Sequence, residues 1–463
     1  MAACVGPAVR LPETAAGPPA LLLLASVAGL TAEDWQAGGM PTLASLAAAG
    51  VAAQAVHTTT PAATYPAHAT LVTGLAAAGH GIPTDHLLGE KGVRAARYSH
   101  ASLLRAPTLW QRASEVAIDV ASLDWPSTLG AAIPTLLPDV SPSRKGETWL
   151  SLLRDGATAD ALEIAERYGA GLAETNLPGP GRDAVLVGVA CEVIARKVPP
   201  RLLLMRLTQT APALAAHGPG SAEATTAFRG ADRSLARLLG CLRSAGLLET
   251  AALVVVGDHG TVPVHTTLAP NVLLVEANLV AAAGANVLSW RAISRSNGGS
   301  AFVYANGDRS AIRARNVFLE AAARTRAFRV TSAQELLSAG ADPEAWFGLQ
   351  AEPGFVFVDR ASGALESPSV GRGAGGYLPG RGDMETGLVA WGHGIRTRVR
   401  IPTMHQNDVA PTLARLLGFE LAGTSGRPLV GALRERVAVS TGPSVSLEDP
   451  RGLGASGGGA SGP

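Results

Sequence analysis

The sequence predicts an α/β fold built on a mainly parallel sheet. Short apolar runs, Leu21–Val27, Ala252–Val256 and Gly387–Trp391, have the uniform character of strands buried on both faces. Segments of helical period lie between them, so strand and helix alternate along the chain. Asp258-His259-Gly260 follows the strand Ala252–Val256, at the carboxyl end where such sheets bind ligands.

Taken in order, residues 1–19 are rich in Pro, Ala and Gly and read as a loose arm. The run Ala20–Ala25 could serve as the apolar segment of a leader, with small residues at Ala25–Ala28. A single Arg10, the acidic Glu13 and several prolines precede it, and it is shorter than the roughly 20 residues a membrane span needs. A buried strand, Leu21–Val27, is the better reading. Met40–Gly50 repeats Leu43, Leu46 and Ala47 at helical spacing and stops at Gly50. Val51–Val56 is a second strand. Thr64–Thr73 is a helix with Pro66 in its first turn, where proline is tolerated. Ser221–Ala245 is a long helix leading into the strand Ala252–Val256. Asp408–Leu417 is a helix with Pro411 near its start and Gly418 as its stop. These elements define one domain over 20–439, with less periodic stretches near 125–200 and 300–375 expected as an insertion and a smaller cap. Residues 440–463 read as a low-complexity tail and are expected to be disordered.

Composition narrows the function. The 463 residues are 47% hydrophobic and 16% charged, enough for a large core. The net charge of +1 gives no footprint for nucleic acid or an anionic membrane. No window is long and apolar enough to span a bilayer, and a cytoplasmic location is expected. Lys91, Lys145 and Lys197 are the only lysines, a coding bias rather than a functional signal. Cys4, Cys191 and Cys241 are few, odd in number and far apart. They form no CxxC pair, and Cys191 and Cys241 read as buried apolar thiols.

Three features carry chemistry. Asp258-His259-Gly260 follows a buried strand directly and offers a carboxylate oxygen and an imidazole nitrogen, both zinc-type ligands. Thr64 opens a helix, so its hydroxyl is either a helix cap or a nucleophile beside a helix end that favours anions. His217 precedes Gly218-Pro219 and reads as a loop histidine or a ligand.

In this order the motifs resemble the alkaline phosphatase superfamily, and within it the type I phosphodiesterase/nucleotide pyrophosphatase family. The resemblance runs over roughly 20–420. It rests on Gly29-Leu30 after the first strand, Met40-Pro41-Thr42-Leu43, and Thr64-Tyr-Pro-Ala-His-Ala-Thr-Leu-Val-Thr-Gly74. Gly257-Asp-His-Gly260 and Gln406-Asn-Asp-Val-Ala-Pro-Thr-Leu-Ala-Arg-Leu-Leu-Gly418 complete it. It implies an alkaline phosphatase-like sandwich with an inserted cap, and two zinc-type ions that activate a Thr or Ser nucleophile against a phosphate ester.

Carried over residue by residue, Thr64 matches the nucleophile, Asp258 and His259 match two ligands of one metal, and His217 matches one ligand of the other. Ala28 stands where the family has an Asp before Gly-Leu. Ala213 stands for the Asp of Pro-Asp-x-x-Gly-His, and Gly375 for the His of Gly-x-His-Gly-Tyr. Asp85 replaces the substrate-binding Asn that follows His-Gly-Ile. Three of the six implied protein ligands are therefore absent. A catalytic zinc normally has three protein ligands, so occupancy by zinc or another divalent ion is expected to be reduced. His57, His265, His393, His405 and Asp85 are the candidate replacements. The expected function is a weakly active or inactive phosphoester hydrolase with a phosphate-ester or nucleotide ligand. Its rivals are an active diester hydrolase with an altered site and a phosphate-ligand binding or scaffolding protein.

Overall fold

The computed structural model describes residues 17–89, 94–172, 178–284, 286–378 and 384–434. Most of the N-terminal arm and all of 440–463 lie outside the described residues.

An eight-stranded sheet forms the centre. Its strands are β1 (Leu21–Val27), β2 (Val51–His57), β3 (Val120–Trp125), β4 (Thr135–Pro138), β5 (Leu202–Leu207), β6 (Ala251–Gly257), β7 (Thr386–Gly392) and β8 (Val399–His405). They lie in the order β8-β2-β7-β6-β1-β5-β3-β4. β7 pairs antiparallel with both β6 and β2. Every other pairing in this sheet is parallel.

The packed helices are α1 (Pro41–Ala49), α2 (Thr64–Thr73), α3 (Leu109–Glu115), α4 (Ala159–Gly169), α5 (Pro180–Ile194), α6 (Thr210–His217), α7 (Ala222–Ser244) and α8 (Val409–Leu417). Side chains of β1 alternate between two cores, as a pleated strand requires. Leu21, Leu23, Ala25 and Val27 join α1, α4, α5 and α7 on one face. Leu22 and Leu24 join α2, α3 and α8 on the other. Leu21 through Leu24 are fully buried, each side chain contributing about 1.5–3 kcal/mol. The Ala20–Ala25 run is thus the start of the central strand.

Residues 125–200 were expected as an insertion, but they belong to the main layers. β3 and β4 extend the sheet beyond β5, and α5 packs between α4 and α7. Helix α5 is buried along most of its length. A helix covered on several sides loses the amphipathic stripe by which sequence reveals it. The cap also starts earlier than 300. Ala292–Ser296, Ser300–Ala305, Phe347–Ala351 and Phe328–Thr331 form an antiparallel four-stranded sheet. Its own core includes Phe302, Phe318, Phe328 and Phe347.

The cysteine expectation is overturned. Cys191 on α5 and Cys241 on α7 form a disulfide, with Cα atoms 5.4 Å apart. Two residues 50 apart in sequence meet because their helices pack side by side.

Candidate functional site

The site lies beyond the carboxyl ends of β1 and β6. Asp258 follows β6 and is fully buried. Its Oδ1 accepts the backbone N–H of Gly29, at 2.9 Å, and of His259, at 2.8 Å. Its Oδ2 is buried with no hydrogen-bond partner, 3.7 Å from His259 Nε2. Burial by itself would raise this carboxyl. His259, His68 and the two N–H groups outweigh that and hold it below the usual carboxylate range.

His259 Nδ1 lies 2.9 Å from the Gly260 carbonyl oxygen, which assigns the ring proton to Nδ1. Nε2 then presents its lone pair to Thr64 Oγ1, 3.4 Å away. Thr64 is the first residue of α2, and Ala63 takes the capping position without a side-chain bond. The threonine hydroxyl therefore does not cap its helix but faces the histidine.

Asp85 performs a capping function instead. Its Oδ1 accepts the Tyr65 N–H at 2.8 Å, placing a carboxylate at the start of α2. The Arg97 guanidinium lies 5.9 Å from the Tyr65 ring centroid, and Asp139, Tyr65 and Asp85 favour its charge.

Two of the positions where the family resemblance implies a ligand, Ala28 and Gly375, also converge here. Ala28 adjoins Gly29, the residue that binds Asp258. Gly373–Ala374 pairs with Pro263 and Val262, which brings the following Gly375 beside His259. A Cβ on Gly375 would lie 2.5 Å from His259 Nδ1 and 3.2 Å from the Ala62 carbonyl oxygen. The ring fills the space a side chain at 375 would need.

His217 ends α6 about half exposed, 3.9 Å from Glu223. The other histidines have partners of their own. His57 pairs with Glu385 at 2.9 Å beside His405. His265 meets Thr266 and Phe355, and His393 meets the Gly17 carbonyl.

A buried polar network beneath Thr64 was not anticipated from the sequence. The Tyr65 hydroxyl donates to Asp139 at 2.5 Å. Arg206 bonds Asp139 at 2.9 Å and Asp124 at 2.8 Å. Arg182 approaches Asp124 at 3.9 Å and stacks over Trp149. Burial would weaken the Arg206 charge, but Asp139 and Asp124 more than restore it. His68 Nδ1 donates to the Thr64 carbonyl oxygen at 2.8 Å, and burial lowers its pKa to about 4. Gln406 bridges the Thr59 N–H and the Asp258 carbonyl oxygen. The available signal was a charge inside an apolar strand, Arg206 in Leu202–Leu207 and Asp124 in Val120–Trp125.

Among the described residues, no group of three or more His, Cys, Asp or Glu is placed to hold a metal ion. The orphaned Asp258 Oδ2, with His259 Nε2 and Thr64 Oγ1, fits one cation with an incomplete protein shell. The position of the second ion, left with His217 alone, does not fit.

Sheet, cap and site together define an alkaline phosphatase-like protein of the α/β class. The chain belongs to the type I phosphodiesterase/nucleotide pyrophosphatase family, whose sequence profile matches residues 22–364. Murine ectonucleotide pyrophosphatase/phosphodiesterase 5, solved as an inactive variant with AMP, is similar in structure, with a TM-score of 0.64 and 16% identity. That match covers 89% of this chain and 100% of the murine one. The human counterpart gives a TM-score of 0.61 at 17% identity, covering 88% of this chain and 96% of its own. No curated protein matches the chain in sequence.

Proposed function

We propose that this chain is a phosphodiesterase/nucleotide pyrophosphatase-family protein with a decayed two-metal site. It keeps a place for a phosphate ester or nucleotide and hydrolyses it weakly or not at all. The observation that carries this reading is the set Ala28, Ala213 and Gly375 where the family has ligands, with the His259 ring filling the space at Gly375. Without those ligands, two dipositive ions would face a single ligating carboxylate, Asp258, and their charge would be poorly compensated. AMP bound to the murine relative supports a nucleotide as the ligand type.

The residues that remain have definable roles. Thr64 is the candidate nucleophile, and His259 Nε2 faces its hydroxyl. Asp258 Oδ2, His259 Nε2 and Thr64 Oγ1 are the groups that would hold a single zinc or other divalent ion. Such an ion would lower the pKa of the Thr64 hydroxyl and draw charge from a phosphoryl oxygen. The orphaned Asp258 Oδ2 favours a second reading, an active single-ion diester hydrolase. The compartment is open to the same kind of proposal. Disulfides persist where conditions are oxidising, so Cys191–Cys241 favours maturation outside a reducing cytoplasm.

Metal content and turnover test the proposal together. Dialysed protein should hold well under two ions per chain, and hydrolysis of bis(p-nitrophenyl) phosphate should stay near background. Ala28→Asp should raise single-ion stoichiometry, because it adds a second carboxylate to the set of Asp258, His259 and Thr64. Two tightly held ions in the parent would overturn the decayed-site reading. Turnover of about 1–10³ s⁻¹, abolished by Thr64→Ala, would establish the active hydrolase instead.

A further inference from the structure

We infer that Asp85 is an internal carboxylate ligand that occupies the anion position at the start of α2, so that a phosphate group enters only by displacing it. The inference rests on the proposed phosphate-ester reading and names the residue of this chain that limits it.

The start of a helix favours anions because its first N–H groups lack intrahelical partners. In α2 that supply is small. Pro66, the third residue, has no N–H, which leaves those of Thr64 and Tyr65 ahead of Ala67. The Ala67 N–H is already bonded to the Ala63 carbonyl oxygen. The Tyr65 N–H points to Asp85 Oδ1 at 2.8 Å. One of the two remaining donors is therefore taken by a group that is itself an anion.

A second carboxylate bounds the same place. Asp258 Oδ2 is fully buried, has no hydrogen-bond partner and lies 3.7 Å from His259 Nε2. That nitrogen is in turn 3.4 Å from Thr64 Oγ1. A phosphate brought to Thr64 meets negative charge from both sides, with the Arg97 cation over the Tyr65 ring. Like charges placed together select against a ligand more strongly than a lost contact does. Replacing the carboxylate by an amide keeps the acceptor for Tyr65, adds a donor and removes one negative charge from the start of α2.

The experiment is titration of inorganic phosphate at fixed pH and salt, by calorimetry, into the parent, Asp85→Asn and Asp85→Ala. The isosteric Asn variant keeps the backbone bond, and the Ala variant frees the Tyr65 N–H outright, so the two guard against a folding artefact in either. Both should bind phosphate at least about tenfold more tightly than the parent, a shift equal to about 1.4 kcal/mol. Selective ¹⁵N-tyrosine labelling gives five backbone amides, with that of Tyr65 assigned through Tyr65→Phe. It should move on phosphate addition in the variants and not in the parent at the same concentration. Equal affinity in all three proteins would overturn the role of Asp85 while leaving the phosphate-ligand reading in place. Folded variants that bind no phosphate at all would overturn both.

Discussion

The Cys191–Cys241 bridge joins α5 to α7, and cutting it has a calculable consequence. The two residues are 50 apart, so the bridge closes a loop holding β5, α6 and most of α7. The chain-entropy relation gives about 4 kcal/mol for a loop of that length. Direct packing adds little, since both cysteines are only partly buried beside the first core. The perturbation is Cys191→Ser with Cys241→Ser. The assay is guanidinium unfolding followed by far-UV circular dichroism, with and without a phosphine reductant. The bridge borders a cleft lined by Arg196, Lys197 and Arg237, so a small reductant can reach it. The double variant should lose about 3–4 kcal/mol, and reduced parent should fall to the same level. Reductant should leave the variant unchanged. Buried free thiols would behave otherwise, because reductant would then alter neither protein. Free thiols at both Cys191 and Cys241 in the untreated parent by peptide mass spectrometry, or a loss below about 1 kcal/mol, would refute the reasoning.

Three further outcomes follow from buried groups. Arg206→Met leaves Asp124 and Asp139 without their shared cation and should cost about 3–5 kcal/mol in denaturant unfolding; a near-neutral result would mean the two carboxyls are not held as ions. His80 is buried, donates from Nε2 to Thr70 and accepts from Ile82, and burial lowers its pKa to about 3. The unfolded chain therefore binds a proton below pH 6.5 that the folded chain does not. Stability should rise with pH across about 3–6.5, and His80→Gln should reduce that slope by about 1.4 kcal/mol per pH unit; an unchanged slope would sink the assignment. Gly375→His should destabilise the fold by about 1–3 kcal/mol through overpacking on the His259 ring, and calorimetric unfolding at the parent temperature would contradict it.

What the sequence makes legible depends on how local the cause is. β1 and β6 declare themselves because strands buried on both faces need unbroken apolar runs. α7 does so through its exposed polar face. α5 does not, since a helix covered by α4, α7 and the sheet has no polar face to set a period. The same rule governs the site. Asp258, His259 and Thr64 stand in short motifs and can be found by reading. The bond from Gly29 to Asp258 spans 229 residues and that from Gln406 to Asp258 spans 148, so no window contains either. The Cys191–Cys241 bridge is hidden for the same reason, because it depends on two helices being neighbours.

Gly375 shows where reading residues one at a time fails. As a sequence position it is an absent histidine, and the evident risk in restoring it is a backbone that only glycine adopts. Gly376 has such a backbone, with φ at 81°, whereas the obstacle at 375 is the His259 ring itself. A side chain at 375 and the present placement of the His259 ring therefore compete for one space. With the ring in that space, Nδ1 is committed to Gly260 and Nε2 to Thr64. A histidine returned at 375 must first move His259, which disturbs the pair of groups that still faces Thr64. Ala28→Asp enters instead at the end of β1, next to the Gly29 whose N–H binds Asp258. Restoration of the one-ion site and of the two-ion site are thus physically different problems. The first adds a carboxylate to a set already in place, and the second requires that set to be rebuilt.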